Sequence, residues 1–162
     1  MSRQRFIHRI QEKNRSYTYQ LPSRHEAASF IQQLMTVLFP LCQDCKSLLG
    51  EQQLERSFEE LEDRLISLLK PLSDELPEPI PVIIEQFLED VFEKLLVDAQ
   101  AITDNDPASV GIEEVIGIYP GFLAIATYRI AHALVGLGVP LIPRMFSEYA
   151  HSVTGVEIHP KA

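Results

Sequence analysis

The sequence predicts an all-α fold. In four or five stretches the apolar residues recur at three- and four-residue spacing, alternating strand patterns are nearly absent until the last few residues, and prolines and glycines punctuate the stretches. With 162 residues, 46% of them hydrophobic, the chain suits one compact domain with a buried core.

The first strong helix has a capping box: Ser23 is placed to accept from the backbone N–H of Glu26, while Glu26 reaches back. Its apolar row is Ala27, Phe30, Ile31, Leu34 and Leu38, and Pro40 ends it. A second helix is expected over about 51–70, with Leu54, Phe58, Leu61, Leu65 and Leu68 inward and Glu55, Glu59, Glu62 and Asp63 on a solvated face. Residues 71–81, PLSDELPEPIP, hold four prolines, which deny backbone donors and fix φ. They predict an extended connector between a helical subdomain at 1–70 and another at 82–155.

The third helix, about 82–102, carries a broad stripe that includes Ile83, Phe87, Leu88, Val91, Leu95 and Ala99. Such breadth implies contacts on more than one side, with other helices or with another subunit. In TDNDPASVG, Asp and Asn before a proline and a following glycine take the backbone out of the helix, so Asp106 is expected on a loop. Residues 112–118 suit a short helical turn, and Pro120 suits the first turn of a helix running through Tyr128 and Leu134 to a stop at Gly136 and Gly138. Pro140 and Pro143 open a last helix, to about Val153, which Gly155 ends. From there Val156-Glu157-Ile158-His159-Pro160 changes to a period of two, predicting a short strand over 156–162.

Charge narrows the function classes. The 14 Lys+Arg against 23 Asp+Glu give a net charge of -9, which disfavours a nucleic-acid partner. Residues 1–25 carry six of the bases and one acid, while residues 51–106 carry sixteen acids and four bases. A basic arm of scattered charges reads as a solvated helix face or a subunit contact before it reads as a binder of membranes. No segment approaches the roughly 20 apolar residues needed to span a bilayer, and MSRQRFIHRIQEKNRS lacks the apolar centre of a secretion signal, so a cytoplasmic protein is expected.

Cys42 and Cys45 form a lone C-x-x-C. A structural zinc site needs four ligands and a thioredoxin-type motif needs a βαβ setting, and the surroundings supply neither, so two ordinary thiols, unpaired in a reducing cytosol, are expected. No metal site is expected elsewhere.

Residues 104–162 carry three motifs in one order: Asp106-Pro107-Ala108; then Gly121-Phe122 with Ala124, Tyr128-Arg129-Ile130 and His132; then Gly155-Val156-Glu157-Ile158-His159-Pro160. In order and spacing these resemble the serine acetyltransferases, while residues 1–103 match only as a helical extension of the right kind. The resemblance implies a helical N-terminal domain followed by a left-handed parallel β-helix, and transfer of acetyl from acetyl-CoA to the hydroxyl of L-serine, giving O-acetylserine for cysteine biosynthesis. Acetyl-CoA is then a co-substrate and no bound cofactor is expected. It also implies a homo-oligomer, a trimer or dimer of trimers, and cysteine synthase as a partner for a C-terminal tail.

The chemistry explains the residue types. A serine hydroxyl attacks only when a neutral imidazole takes its proton, and a carboxylate on the other ring nitrogen fixes the imidazole's tautomer. In the resemblance that carboxylate falls on Glu157, in place of an Asp, and the imidazole belongs to an Asp-His pair that residues 1–162 do not contain. A chain of these residues alone is therefore expected to be inactive. Asp106 falls on an acid lying near the amino group of bound serine or inhibitory cysteine. Read without the resemblance, Asp106 is a turn cap before proline. His159 is expected to be structural, and Arg129 and His132 to anchor the helical domain on its neighbours through carbonyls or Glu side chains. A different class remains open, a non-catalytic helical oligomerisation or interaction module, as does an unrelated helical domain with a chance match.

Overall fold

A computed structural model describes residues 2–17, 21–45 and 50–162, the side chains of residues 85 and 88–90 excepted, so Leu88 of the third-helix stripe lies outside the described side chains. The helices are α1 (Arg3–Arg15), α2 (Arg24–Leu38), α3 (Glu51–Leu69), α4 (Ile80–Asn105), α5 (Ile112–Ile118), α6 (Pro120–Gly136) and α7 (Ile142–Thr154), with a 3-10 helix at Lys70–Glu75.

Local chemistry sets most boundaries. The α2 capping box is complete: Glu26 N–H donates to Ser23 Oγ at 3.0 Å and Ser23 N–H donates to Glu26 Oε2 at 3.1 Å. Pro120 lies in the first turn of α6, where a missing N–H costs nothing, and Tyr119 before it is extended. Consequently α5 and α6 meet at 76°. At the other end of α6, Val139 N–H reaches Leu134 O and Gly138 N–H reaches Val135 O, a Schellman stop with Gly138 at φ +72°.

The core is one continuous cluster. Phe30 and Leu34 of α2, Leu65 of α3, Phe87 of α4, Ile130 of α6 and Phe146 of α7 all belong to it. The rings of Phe30 and Phe146 stack with centroids 5.6 Å apart, fastening α2 to α7. Phe39, just past α2, meets Phe92 of α4 and Phe122 of α6 at 5.8 and 5.9 Å. Helix α6 packs against both α4 and α7, and α2 against α3 and α7. By contrast α1 buries none of its residues, and Phe6 and Ile7 are more than half exposed.

Three sequence expectations change. First, the proline-rich segment leaves helix only over 76–79, because Pro71 fits the first turn of the 3-10 helix, where Leu72 is buried, and Pro81 fits the first turn of α4. Residues on both sides of this segment share the one core cluster. Second, residues 156–159 form no strand, because a strand exists only as a ladder with a partner and no strand is found among the described residues. Third, Cys42 and Cys45 are joined as a disulfide rather than left as unpaired thiols, their Cα atoms lying 5.1 Å apart across a single turn, within bridging range.

Among the described residues no single helix is long and apolar enough to cross a membrane, and no cluster of three metal-ligating side chains occurs.

Candidate functional site

Asp106 ends α4. Its N–H still bonds Ile102 O at 3.0 Å, but its backbone is extended, as the following Pro107 requires. The chain then turns back so that Ser109 N–H donates to Asp106 O. Ala108 N–H donates to Asp106 Oδ1 at 2.9 Å, the side-chain turn expected of an Asp before proline. From across α5 the phenol of Tyr119 donates to Asp106 Oδ2, also at 2.9 Å. A second carboxylate staples the same loop, with Val110 N–H donating to Glu114 Oε2 at 2.7 Å.

Each oxygen of Asp106 therefore accepts one hydrogen bond. An ionised carboxylate has about four acceptor positions, so roughly half stay available on this partly exposed group. The Tyr119 phenol is shifted above its ordinary pKa, first by the hydrogen bond it gives Asp106 and then by desolvation and the nearby negative charge.

Helix α6 presents the second motif. Arg129 donates to Asp98 of α4 through Nε at 2.7 Å and Nη2 at 2.9 Å, a bidentate pair that holds the guanidinium still more firmly protonated. Tyr128 Oη donates to the backbone oxygen of Ala162 at 2.6 Å, and His132 Nδ1 lies 3.0 Å from Pro160 O. A carbonyl only accepts, so that nitrogen of His132 carries the hydrogen. One helix thus grips both α4 and the segment after α7. His132 anchors through a carbonyl, as expected, whereas Arg129 anchors through an aspartate, Asp98, rather than a carbonyl or a glutamate.

Glu157 stands in that segment, exposed, with its oxygens 3.7 Å from Arg144 Nη2 and 3.8 Å from His151 Nδ1. Arg144 also pairs with Glu148 one turn along α7. His159 is exposed and makes a local contact, its Nδ1 accepting from Lys161 N–H at 3.2 Å. Asp106 and Glu157 share no hydrogen-bonding or ion-pairing partner among the described residues. A groove of about 860 Å³ between the start of α2 and α7, edged by Arg24, Arg144 and His151, lies away from Asp106.

Sequence reasoning missed Tyr119 and Asp98. Tyr119 had a faint signal, a tyrosine beside the Pro120-Gly121 helix start, 13 residues after Asp106. Asp98 had none, because its partner is 31 residues away.

No family model matches the chain. A plasmid-encoded serine acetyltransferase of Synechococcus elongatus is 30% identical over 164 residues, covering 89% of this chain and 51% of that protein. A second serine acetyltransferase of the same organism is 43% identical over 72 residues, 44% of this chain and 30% of the other. Among solved structures, serine acetyltransferase 1 of Entamoeba histolytica superposes with a TM-score of 0.70 at 28% identity, over 90% of this chain and 53% of its own. Its complex with L-cysteine gives 0.69 at 29%, over 90% and 52%.

The helical body is thus similar in fold to part of the serine acetyltransferase chains that it superposes on. More narrowly, the chain is a homologue of the serine acetyltransferases and matches their N-terminal helical domain. It spans about half the length of the curated relatives and solved chains that it matches over most of its own length.

Proposed function

We propose that the protein to which this chain belongs is a serine O-acetyltransferase, moving the acetyl group of acetyl-CoA to the hydroxyl of L-serine. The observation that carries this reading is the Asp106 carboxylate, held on a loop at the end of α4 within a helical body that superposes on serine acetyltransferases. Asp106 is assigned to the ammonium group of serine, a charge-assisted contact that a half-free carboxylate suits. L-cysteine is assigned to the same place, in keeping with the relative solved as a complex with it.

Glu157 is assigned to the ring nitrogen of a general-base histidine that residues 1–162 do not include. Exposure leaves its carboxylate available for such a partner, and Arg144 and His151 hold it close to α7. Since base and CoA groove lie outside these residues, a polypeptide of residues 1–162 alone is expected to be inactive. A cytoplasmic homo-oligomer, a trimer or dimer of trimers that docks cysteine synthase through a C-terminal tail, completes the proposal.

The test is acetyl-CoA-dependent formation of O-acetylserine by the whole protein. Turnover with L-serine supports the reading, and its absence in a folded whole protein contradicts it. The second reading, a non-catalytic self-associating module, draws on the uncovered apolar residues Phe6, Ile7 and Ile10 of α1. A folded, oligomeric whole protein without turnover would favour it.

A further inference from the structure

We infer that Tyr119 is a positioning residue of the amino-acid subsite, fixing the Asp106 carboxylate in the orientation that receives the substrate's ammonium group. The inference rests on the serine-acetyltransferase reading and deepens it.

The two hydrogen bonds on Asp106 differ in kind. The one from Ala108 N–H is local and belongs to any Asp-led turn of this sort, so it explains the turn and no more. The bond from Tyr119 Oη spans 13 residues and is not needed to close that turn. Its effect is to immobilise the second oxygen. With one oxygen tied, the carboxylate can still swing about its side-chain torsions, and freezing that freedom on binding costs affinity. With both tied, the freezing is done before the ligand arrives.

The donor's chemistry fits the task. A lysine or arginine at this place would orient Asp106 but also cancel its charge and compete with the incoming ammonium. A phenol orients without neutralising. Because the Asp106 bond and charge raise the Tyr119 pKa, the phenol keeps its proton, and so its donor role, throughout the neutral and mildly alkaline range. Tyr119 is itself well placed to be rigid: its N–H bonds Val115 O at 3.2 Å at the end of α5, and Pro120 fixes the next φ at the start of α6.

The experiment is a mutant cycle on the whole enzyme, reading serine KM, acetyl-CoA KM and kcat for Tyr119→Phe, Asp106→Asn and the double variant. Tyr119→Phe keeps the ring and removes only Oη. It is expected to raise serine KM about 3–10-fold, the size of one hydrogen bond's net contribution, with acetyl-CoA KM and kcat within about twofold. In the Asp106→Asn background the same change is expected to add nothing further, since Tyr119 acts through Asp106. An unchanged serine KM in Tyr119→Phe, or an equal effect in both backgrounds, overturns the positioning role while leaving the subsite intact. If Asp106→Asn itself leaves serine KM unchanged, the subsite assignment fails, and the role of Tyr119 fails with it. A general loss of structure would move both substrates' KM together, which also counts against the inference.

Discussion

The guanidinium of Arg129 on α6 meets the carboxylate of Asp98 on α4 through two hydrogen bonds, of 2.7 and 2.9 Å. This pair sits beside the junction where α6 also grips the segment after α7. Asp98→Ala leaves a guanidinium whose side chain is 37% exposed, so water takes over part of the loss. The expected cost is about 1–2 kcal/mol of stability, below the upper range for charge-assisted bonds. Chemical denaturation checks it, and a change under about 0.3 kcal/mol would show that the pair is only a surface contact.

Gly138→Ala is expected to destabilise more than any exposed helix substitution. Gly138 lies at φ +72°, where a side chain costs on the order of 1–3 kcal/mol, and an added Cβ would stand 2.7 Å from Pro77 Cγ. The same melt applied to Gly136→Ala, whose Cβ would meet nothing within 4 Å, should show no loss.

Thr127 is fully buried in α6, and its Oγ1 has no hydrogen-bond partner among the described residues. Thr127→Val replaces that hydroxyl by a methyl of similar size and is expected to stabilise by about 1 kcal/mol. A lower denaturation midpoint would mean that the hydroxyl finds a partner.

Tyr119 should titrate above the ordinary phenol value of 10.0, because ionisation breaks its bond to Asp106 and sets two negative charges side by side. The sign follows from linkage. A folded pKa above the unfolded one means that the stabilisation is present below the unfolded value and is lost as pH rises through the folded one. NMR titration of labelled tyrosine should show the Tyr119 ionisation moving down in Asp106→Asn. No movement would indicate that the two groups do not interact in solution.

Local chemistry made much of this legible in the sequence. The Ser23–Glu26 box, the exit of α4 at Asp106-Pro107 and the α6 stop at Gly138 each depend on a few adjacent residues, and each forms as read. What stayed hidden depends on distance along the chain. Nothing in Asp98 or Arg129 alone marks them as partners, and nothing in Tyr128 shows that its phenol will reach Ala162 O. Leu141 sits at φ 62°, closing a tight turn from Pro140 O to Ile142 N–H, a strained conformation for which leucine carries no signal. The candidate site divides the same way: Asp106 is a candidate through its motif, whereas Tyr119, with only a faint signal beside Pro120, meets it once α5 folds back over the loop.

The assignment of Asp106 to the amino group of serine is tested most directly by steady-state kinetics of the whole protein with and without Asp106→Asn. The account predicts that L-serine and acetyl-CoA give O-acetylserine, and that the substitution raises serine KM about tenfold or more, the loss of a charge-assisted contact, while acetyl-CoA KM stays within about twofold. A serine KM unchanged by Asp106→Asn would contradict it.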